Sequence, residues 1–185
     1  MDFEFSPFTK IVPDAYHGTD IANILSIQAN GFRIGTGGTL HLGDGVYFYE
    51  GSKAHAKGYL RIRDKTGHPP KVAVFRCEID LGNCIDLHNK EHTDALAKFA
   101  AQVQTMAYDN PAFRKKHNIN SKDDVTEGFI INLAASLTNA DTVRGTYWSD
   151  FPLYTGSKIA GNARLVIAVR NLNKILATHL DYVEN

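Results

Sequence analysis

Four residues near the start of the chain could together recognise a flat, positively charged aromatic ring. His17 and Gly18 are adjacent, and Tyr47 and Tyr59 lie further along in two glycine-containing runs. A glycine backbone can approach a ring closely and offer both its N–H and its C=O to a carboxamide. Two tyrosines can stack on the two faces of the ring, and a cationic ring gains further from their π-electrons. A histidine beside the glycine can hydrogen-bond a ribose hydroxyl.

Other chemistries for these glycines and histidines fit poorly. The sequence has no GxxxxGK[ST] motif, and the glycines at 43 and 45 precede a predicted strand rather than a helix, which argues against a phosphate-binding loop. Eight histidines are scattered without an HExxH motif, so no metal is expected. Cys77 and Cys84 do not form a CxxC pair and are interpreted as reduced, partly buried thiols.

The length of the chain predicts a single domain spanning residues 1–185. Lys and Arg number 20 and Asp and Glu number 20, so the net charge gives no reason to expect a nucleic acid or a membrane as partner. The first residues are acidic where a signal peptide is basic, and no apolar run approaches the roughly 20 residues that span a bilayer. A cytoplasmic protein is expected.

The predicted elements that position these residues form an α+β fold. A strand at 12–16 leads into His17, and a helix capped by Thr19 or Asp20 follows, ending at Gly31. Further strands are predicted at 46–49, 72–79, 143–148, 165–169 and 174–176, with a short helix starting near Ser52 and a loop over 60–70. Strands on both sides of a helical block favour α+β over repeated βαβ units.

The helical block is an insert over about residues 92–138. Its first helix carries an apolar stripe from Leu96 to Ala107 after the cap candidate Thr93, and Pro111 ends it. Ser121 and Asp124 are predicted to open a second helix. We interpret the insert as a packing helix pair, with target recognition or antitoxin binding as the alternative.

The motifs resemble the NAD-binding half of the ADP-ribosyltransferases related to diphtheria toxin and poly(ADP-ribose) polymerase. The resemblance covers residues 16–59 well and the rest of the chain loosely. The residues that carry it are His17-Gly18-Thr19, Gly31-Phe32-Arg33-Ile34, Gly43-Asp44-Gly45-Val46-Tyr47-Phe48 and Ser52-Lys53. It implies a split β-sandwich in which two mostly antiparallel sheets surround an NAD cleft.

The resemblance also implies roles for single residues. His17 would bind a ribose of NAD+, Gly18 would hold the nicotinamide carboxamide, and Thr19 would contact the adenosine side. Arg33 would face the adenosine ribose or the pyrophosphate. Tyr47 and Tyr59 would stack on the nicotinamide; the serine that the polymerases place three residues before the second tyrosine is replaced here by Ala56.

The family's catalytic glutamate has no counterpart in its expected place. The resemblance puts it just before the last long strand, where this chain reads Ala160-Gly161-Asn162-Ala163. Asn162 could keep a hydrogen bond there without the charge, or an acid from elsewhere could fill the slot: Glu127, Asp150 or Glu50. The third alternative is a site that binds NAD+ or ADP-ribose without chemistry. One electrostatic contact to a transition state is worth on the order of 3–4 kcal/mol.

The expected activity is mono-ADP-ribosyl transfer from NAD+ to a macromolecular acceptor, protein or nucleic acid, with nicotinamide as the leaving group. Chain elongation is disfavoured because it relies on the glutamate in the family. A microbial toxin or effector with an antitoxin or immunity partner is expected. The alternatives are an NAD+ glycohydrolase and a non-catalytic binding module.

Overall fold

The computed structural model describes residues 10–37, 40–63, 70–147 and 163–184, with the side chains of residues 59–63 and 122 excepted. It contains seven strands and five α-helices within these ranges. The strands are β1 Ile11–Asp20, β2 Val46–Glu50, β3 Val72–Asp80, β4 Cys84–Asp86, β5 Thr142–Tyr147, β6 Arg164–Val169 and β7 Ile175–Val183. The helices are α1 Ile24–Asn30, α2 Lys53–Arg63, α3 Lys90–Asp109, α4 Pro111–His117 and α5 Glu127–Thr138. The α+β class predicted from the sequence is confirmed.

The described strands form one mixed sheet in the order β4-β5-β6-β2-β1-β3-β7. Only β4 and β5 run parallel to each other, because the helical insert connects them as a crossover. Hydrogen bonding therefore joins what the sequence predicted as two separate sheets.

The sheet nevertheless has two halves that are joined weakly. β1 pairs with β3 along nearly its whole length, and β2 pairs with β6 from Val46 to Tyr49. β1 and β2 pair with each other only at Ala15–Glu50 and Tyr16–Tyr49. Beyond Tyr16 the two central strands diverge, so the sheet opens at the position of His17.

Two apolar clusters cover the two faces of the sheet. On one face the inward residues of α2, α3 and α5 pack on Tyr49, Val74 and Val143. On the other face Phe32 and residues of α1 pack on Phe48, Phe75 and Ile167. No helix in the described ranges is long and apolar enough to span a bilayer.

The predicted strand 12–16 is too short, because β1 continues through His17 to Asp20, but the cap, the helix and its end agree with the prediction. Asp20 caps a 3-10 turn by accepting a hydrogen bond from the Ala22 N–H at 2.8 Å, and α1 follows. Gly31 ends α1 with a φ of 73°, which glycine adopts without strain. The predicted loop over 60–70 is wrong at its start, because α2 continues to Arg63.

The helical insert contains three helices rather than two, and two of its predicted caps are wrong. Asn89, not Thr93, caps α3 by accepting from the Glu91 N–H, so the helix begins at Lys90. Buried His92 helps to fix this start, since its Nδ1 accepts the Asp86 N–H at 2.9 Å. Pro111 ends α3 as predicted but opens α4. Thr126 caps α5, while the residues after Ser121 form a separate 3-10 turn.

Both cysteines are free and buried in the cluster beneath α1. Burial raises the pKa of Cys77 to about 11 and that of Cys84 to about 12. At about pH 8 the thiolate fraction of each is below about 0.1 %. We therefore expect a disulfide-exchange reagent such as DTNB to leave both thiols unmodified in the native protein and to titrate both in denaturant. Rapid modification under native conditions would contradict this packing.

Candidate active site

His17 lies where β1 and β2 diverge, and its ring bridges the opening. The Nδ1 atom is 2.9 Å from the backbone carbonyl oxygen of Tyr47. A carbonyl can only accept, so Nδ1 carries the proton. In the neutral ring the Nε2 atom is then a hydrogen-bond acceptor, as contact with a ribose hydroxyl requires.

The surroundings of His17 favour the neutral ring. Its ring packs edge-on against Phe32 at 5.0 Å and tilted against Phe48 at 5.6 Å, centroid to centroid. Burial lowers the pKa of His17, and the hydrogen bond to Tyr47 offsets this only in part. His17 therefore presents an uncharged imidazole at neutral pH.

Gly18 allows α2 to approach the sheet closely. A Cβ at Gly18 would lie 2.0 Å from the carbonyl oxygen of Ala56 in α2. Only glycine permits this distance, so the backbone of β1 and the helix touch directly. Tyr59 lies three residues beyond Ala56 on the same helix, one turn further along.

The Tyr47 side chain lies on the sheet face opposite the His17 ring. Its hydroxyl donates to the Gly43 carbonyl at 2.7 Å and accepts from the Leu42 N–H at 3.0 Å. It also approaches the phenol of Tyr147, whose pKa rises through burial and through Tyr47. Tyr47 thus ties the glycine-containing loop before β2 to the end of β5.

Two residues that the sequence analysis missed hold this loop from outside. The Asn132 side chain in α5 accepts from the Asp44 N–H at 2.8 Å, and Arg170 donates to the Asp44 carbonyl at 2.9 Å. Arg170 also donates to the Asn132 side-chain oxygen at 2.6 Å. Gly35 and Gly45 close the base of the loop with two backbone hydrogen bonds. No local sequence signal marks Asn132 or Arg170, because both act across the fold.

A cavity of about 660 Å³ adjoins the loop. It lies between α3, α5 and the end of β5. Leu42 and Tyr147, two of the neighbours of the Tyr47 hydroxyl, line it. Glu127 and His41 also line it, with the Glu127 carboxylate 3.0 Å from His41 Nδ1. Of the acids proposed for the glutamate slot, Glu127 therefore faces a cavity next to Tyr47.

The contacts of the remaining predicted site residues give no direct support to their predicted roles. Thr19 is buried, and its hydroxyl accepts from the Asn23 side chain at 3.1 Å. Arg33 is exposed and forms no ion pair with a described residue. The contacts predicted for both with NAD+ stay predictions. Asn162 and Asp150 lie outside the described residues. Within the described ranges no group of three or more His, Cys, Asp or Glu residues could hold a metal ion.

Glu50, another candidate acid, belongs to an ionic network. Arg144 donates to both of its carboxylate oxygens, at 2.6 and 3.1 Å, and to Asp86 at 3.0 Å. Lys10 adds a contact to Glu50 at 3.3 Å. Burial alone would raise the pKa of Glu50, but Arg144 and Lys10 outweigh it and the pKa lies below its ordinary value. This arrangement points to a structural role for Glu50.

Removing the Arg144 cation is expected to destabilise the fold in a pH-dependent manner. Arg144→Met leaves Glu50 and Asp86 without their shared partner, at a cost of about 3 kcal/mol near neutral pH. The carboxyls have lowered pKa values in the folded state. Their contribution is therefore present above the unfolded pKa of about 4 and lost as pH falls through the folded values.

Denaturant unfolding at about pH 7 and pH 3 tests this expectation. The stability difference between wild type and Arg144→Met should shrink at the lower pH. Lys90→Met is the matched control, because Lys90 pairs with Asp94 on an exposed helix surface; such pairs contribute about 0.5 kcal/mol or less. A difference that does not depend on pH would contradict the ionic origin of the effect.

The sheet opens beside His17 and Gly18, and the Tyr47 carbonyl faces His17 across the opening. The family model of the poly(ADP-ribose) polymerase catalytic domain matches residues 12–139, and the chain belongs to this family. Domains of this family use NAD+ as the donor of ADP-ribose. The matched range includes the strand of His17, the Tyr47 loop and the helical insert.

Comparison with solved structures adds one similar chain. It comes from the MbcT-MbcA toxin-antitoxin complex of M. tuberculosis, with a TM-score of 0.45 and 9% sequence identity over 96% of this chain and 84% of that chain. A likeness this distant supports no statement about function. The comparison with curated proteins gave no significant match.

Proposed function

We propose that the protein is a mono-ADP-ribosyltransferase that transfers ADP-ribose from NAD+ to a macromolecular acceptor and releases nicotinamide. The observation that carries the proposal is the hydrogen bond between His17 and the Tyr47 backbone at the opening of the sheet, next to Gly18, in a chain whose family uses NAD+. The neutral imidazole of His17 offers Nε2 to a ribose hydroxyl. The backbone of Gly18 offers hydrogen bonds to the carboxamide.

Single transfer is favoured over chain elongation by the sequence before β6. Asn162 stands near the position where the family places its glutamate, and Ala163 precedes the strand directly. Elongation relies on that glutamate in the family, whereas a single transfer can proceed when another base activates the acceptor. The same substitution makes NAD+ hydrolysis the second candidate function. The toxin or effector role and the antitoxin partner stay predictions.

Nicotinamide release tests the proposal. The pure protein is incubated with NAD+ carrying a label in its adenosine half, with and without cell lysate, beside His17→Ala and Tyr47→Ala. Release that needs lysate, labels a macromolecule and disappears in both variants supports the transferase. Release of equal rate without lysate, with free ADP-ribose as product, identifies a glycohydrolase instead. A thermal shift with NAD+ but no release identifies a binding module and overturns the proposed activity.

A further inference from the structure

The cavity beside the glycine-containing loop before β2 has apolar walls and a polar mouth. Its apolar walls are formed by side chains of α3 and α5, of the loop before β2 and of the residue after β4: Leu42, Leu87, Leu96, Ala97, Ala100 and Ile130. Thr146 and Tyr147 add hydroxyl-bearing side chains to its lining, and His41 and Glu127 add an imidazole and a carboxylate. Such a lining suits a ligand with an apolar body and a single polar end.

His41 and Glu127 form a carboxylate–imidazole pair in which the donor and the acceptor of the hydrogen bond are defined. Glu127 accepts at 3.0 Å from His41 Nδ1, which leaves His41 Nε2 as the acceptor of a neutral ring. Nε2 forms no hydrogen bond with a described residue. The same arrangement orients the general base in hydrolases that activate a hydroxyl. The two side chains are 66% and 77% exposed, so an external group can reach them.

The fold holds both members of the pair beside the side chain of Tyr47, one of the two tyrosines predicted to stack on nicotinamide. His41 directly precedes Leu42, whose N–H is bonded to the Tyr47 hydroxyl, and its ring packs edge-on at 5.6 Å from Tyr147. Glu127 is in the first turn of α5, which Thr126 caps. The positive end of the helix dipole stabilises a carboxylate at this position.

We propose that this cavity receives the acceptor, a protein hydroxyl carried on an apolar body, and that His41, oriented by Glu127, removes its proton. Among protein side chains tyrosine has this chemistry. The proposal rests on the proposed transferase function and assigns the base that the missing glutamate leaves open. The Glu127 carboxylate at the mouth disfavours a phosphate backbone, and the proposal therefore commits to a protein acceptor.

The transfer step balances without a further reactant. The acceptor oxygen forms a bond to the anomeric carbon of the nicotinamide ribose while the bond from that carbon to the ring nitrogen breaks. The electron pair of the broken bond leaves with the ring, so nicotinamide departs neutral. The acceptor proton passes to His41 Nε2, and the imidazolium, stabilised by Glu127, returns it to solvent.

Product partitioning with a model acceptor tests the proposal. The full chain is incubated with NAD+ and N-acetyltyrosinamide, and the tyrosinamide adduct and free ADP-ribose are quantified together by mass spectrometry. We expect His41→Gln and Glu127→Gln to lower the ratio of adduct to ADP-ribose about 100-fold and about tenfold, since a positioned base contributes 10²–10⁴-fold to rate. His179→Gln, a histidine exposed on β7, should keep the wild-type ratio. Because adduct and ADP-ribose form in the same sample, an unfolded fraction of a variant lowers the amounts of both and leaves their ratio unchanged.

Two further arms complete the test. Added imidazole should restore adduct formation to His41→Ala, which a purely structural role of His41 would not allow. N-acetylphenylalaninamide, which has the same body without the hydroxyl, should inhibit the adduct reaction and remain unmodified. An unchanged ratio in both glutamine variants overturns the assignment of His41 as the base. If agmatine, a guanidine, is modified in preference to the tyrosine compound, the assignment of a hydroxyl acceptor is overturned. Absence of nicotinamide release under every condition overturns the transferase itself, and the base with it.

Discussion

Gly18→Ala is expected to destabilise the protein by about 3 kcal/mol, the upper end of what overpacking costs. The new methyl group would lie 2.0 Å from the Ala56 carbonyl oxygen and 2.8 Å from its carbon. Both are backbone atoms of a helix and have no rotamer by which to move away. The whole of α2 would have to shift from β1, and Ala56, which is fully buried, would lose its packing.

Thermal unfolding measures the effect directly. For a domain of this size 3 kcal/mol corresponds to about 10 °C in Tm. The matched control is Gly58→Ala on the same helix, where a Cβ meets no described atom within 4 Å. That substitution should raise stability by about 0.5–1 kcal/mol through helix propensity. Equal Tm values for wild type and Gly18→Ala would show that α2 does not pack on β1 as described.

Activity should fall further than stability in the Gly18 variant. The expected hydrogen bonds of the Gly18 backbone to nicotinamide depend on the distance between β1 and α2. A shift of about 1 Å in a reacting group can cost on the order of 100-fold in rate. Nicotinamide release, measured well below the Tm of the variant, separates this loss from unfolding.

The sequence predicted those parts of the site that depend on neighbouring residues. The Asp20 cap, the Gly31 stop and the strand of Tyr47 all follow from local periodicity and capping chemistry. Each of these features is specified within a few positions of the chain. The strand predicted to end at Tyr16 is too short, because pairing with β3 carries β1 through His17 to Asp20.

The features that the sequence missed depend on contacts between distant residues. The opening between β1 and β2 appears only in the pairing of these two strands, which are distant in sequence, and nothing within 46–50 shows that β6 lies on the other side of β2. Asn132 reaches Asp44 across 88 positions, and Arg144 reaches Glu50 across 94. The cap at Asn89 was missed because Thr93 is an equally good cap type, and packing of His92 decides between them.

His17→Asn is expected to lower nicotinamide release about 100-fold, the upper end for a hydrogen bond whose partner is left unpaired in a buried site. The asparagine NH₂ group can replace Nδ1 as donor to the Tyr47 carbonyl, so the opening of the sheet keeps its bridge. No asparagine atom replaces Nε2, which faces the predicted ribose hydroxyl. His17→Ala loses both groups and the ring contacts with Phe32 and Phe48, and it should lose stability as well as activity.

The pH dependence of stability gives a second readout for His17. Burial lowers its pKa in the folded state, whereas the unfolded chain titrates near 6.5. Its contribution is therefore fully present above about pH 6.5 and declines as pH falls from there to the folded pKa, because only the unfolded state takes up the proton. His17→Asn should remove this decline. On acidification the wild type should therefore lose more of its free energy of unfolding than the variant does. A folded and fully active His17→Asn would mean that Nε2 accepts nothing from NAD+, leaving the bond to Tyr47 as the whole contribution of this residue.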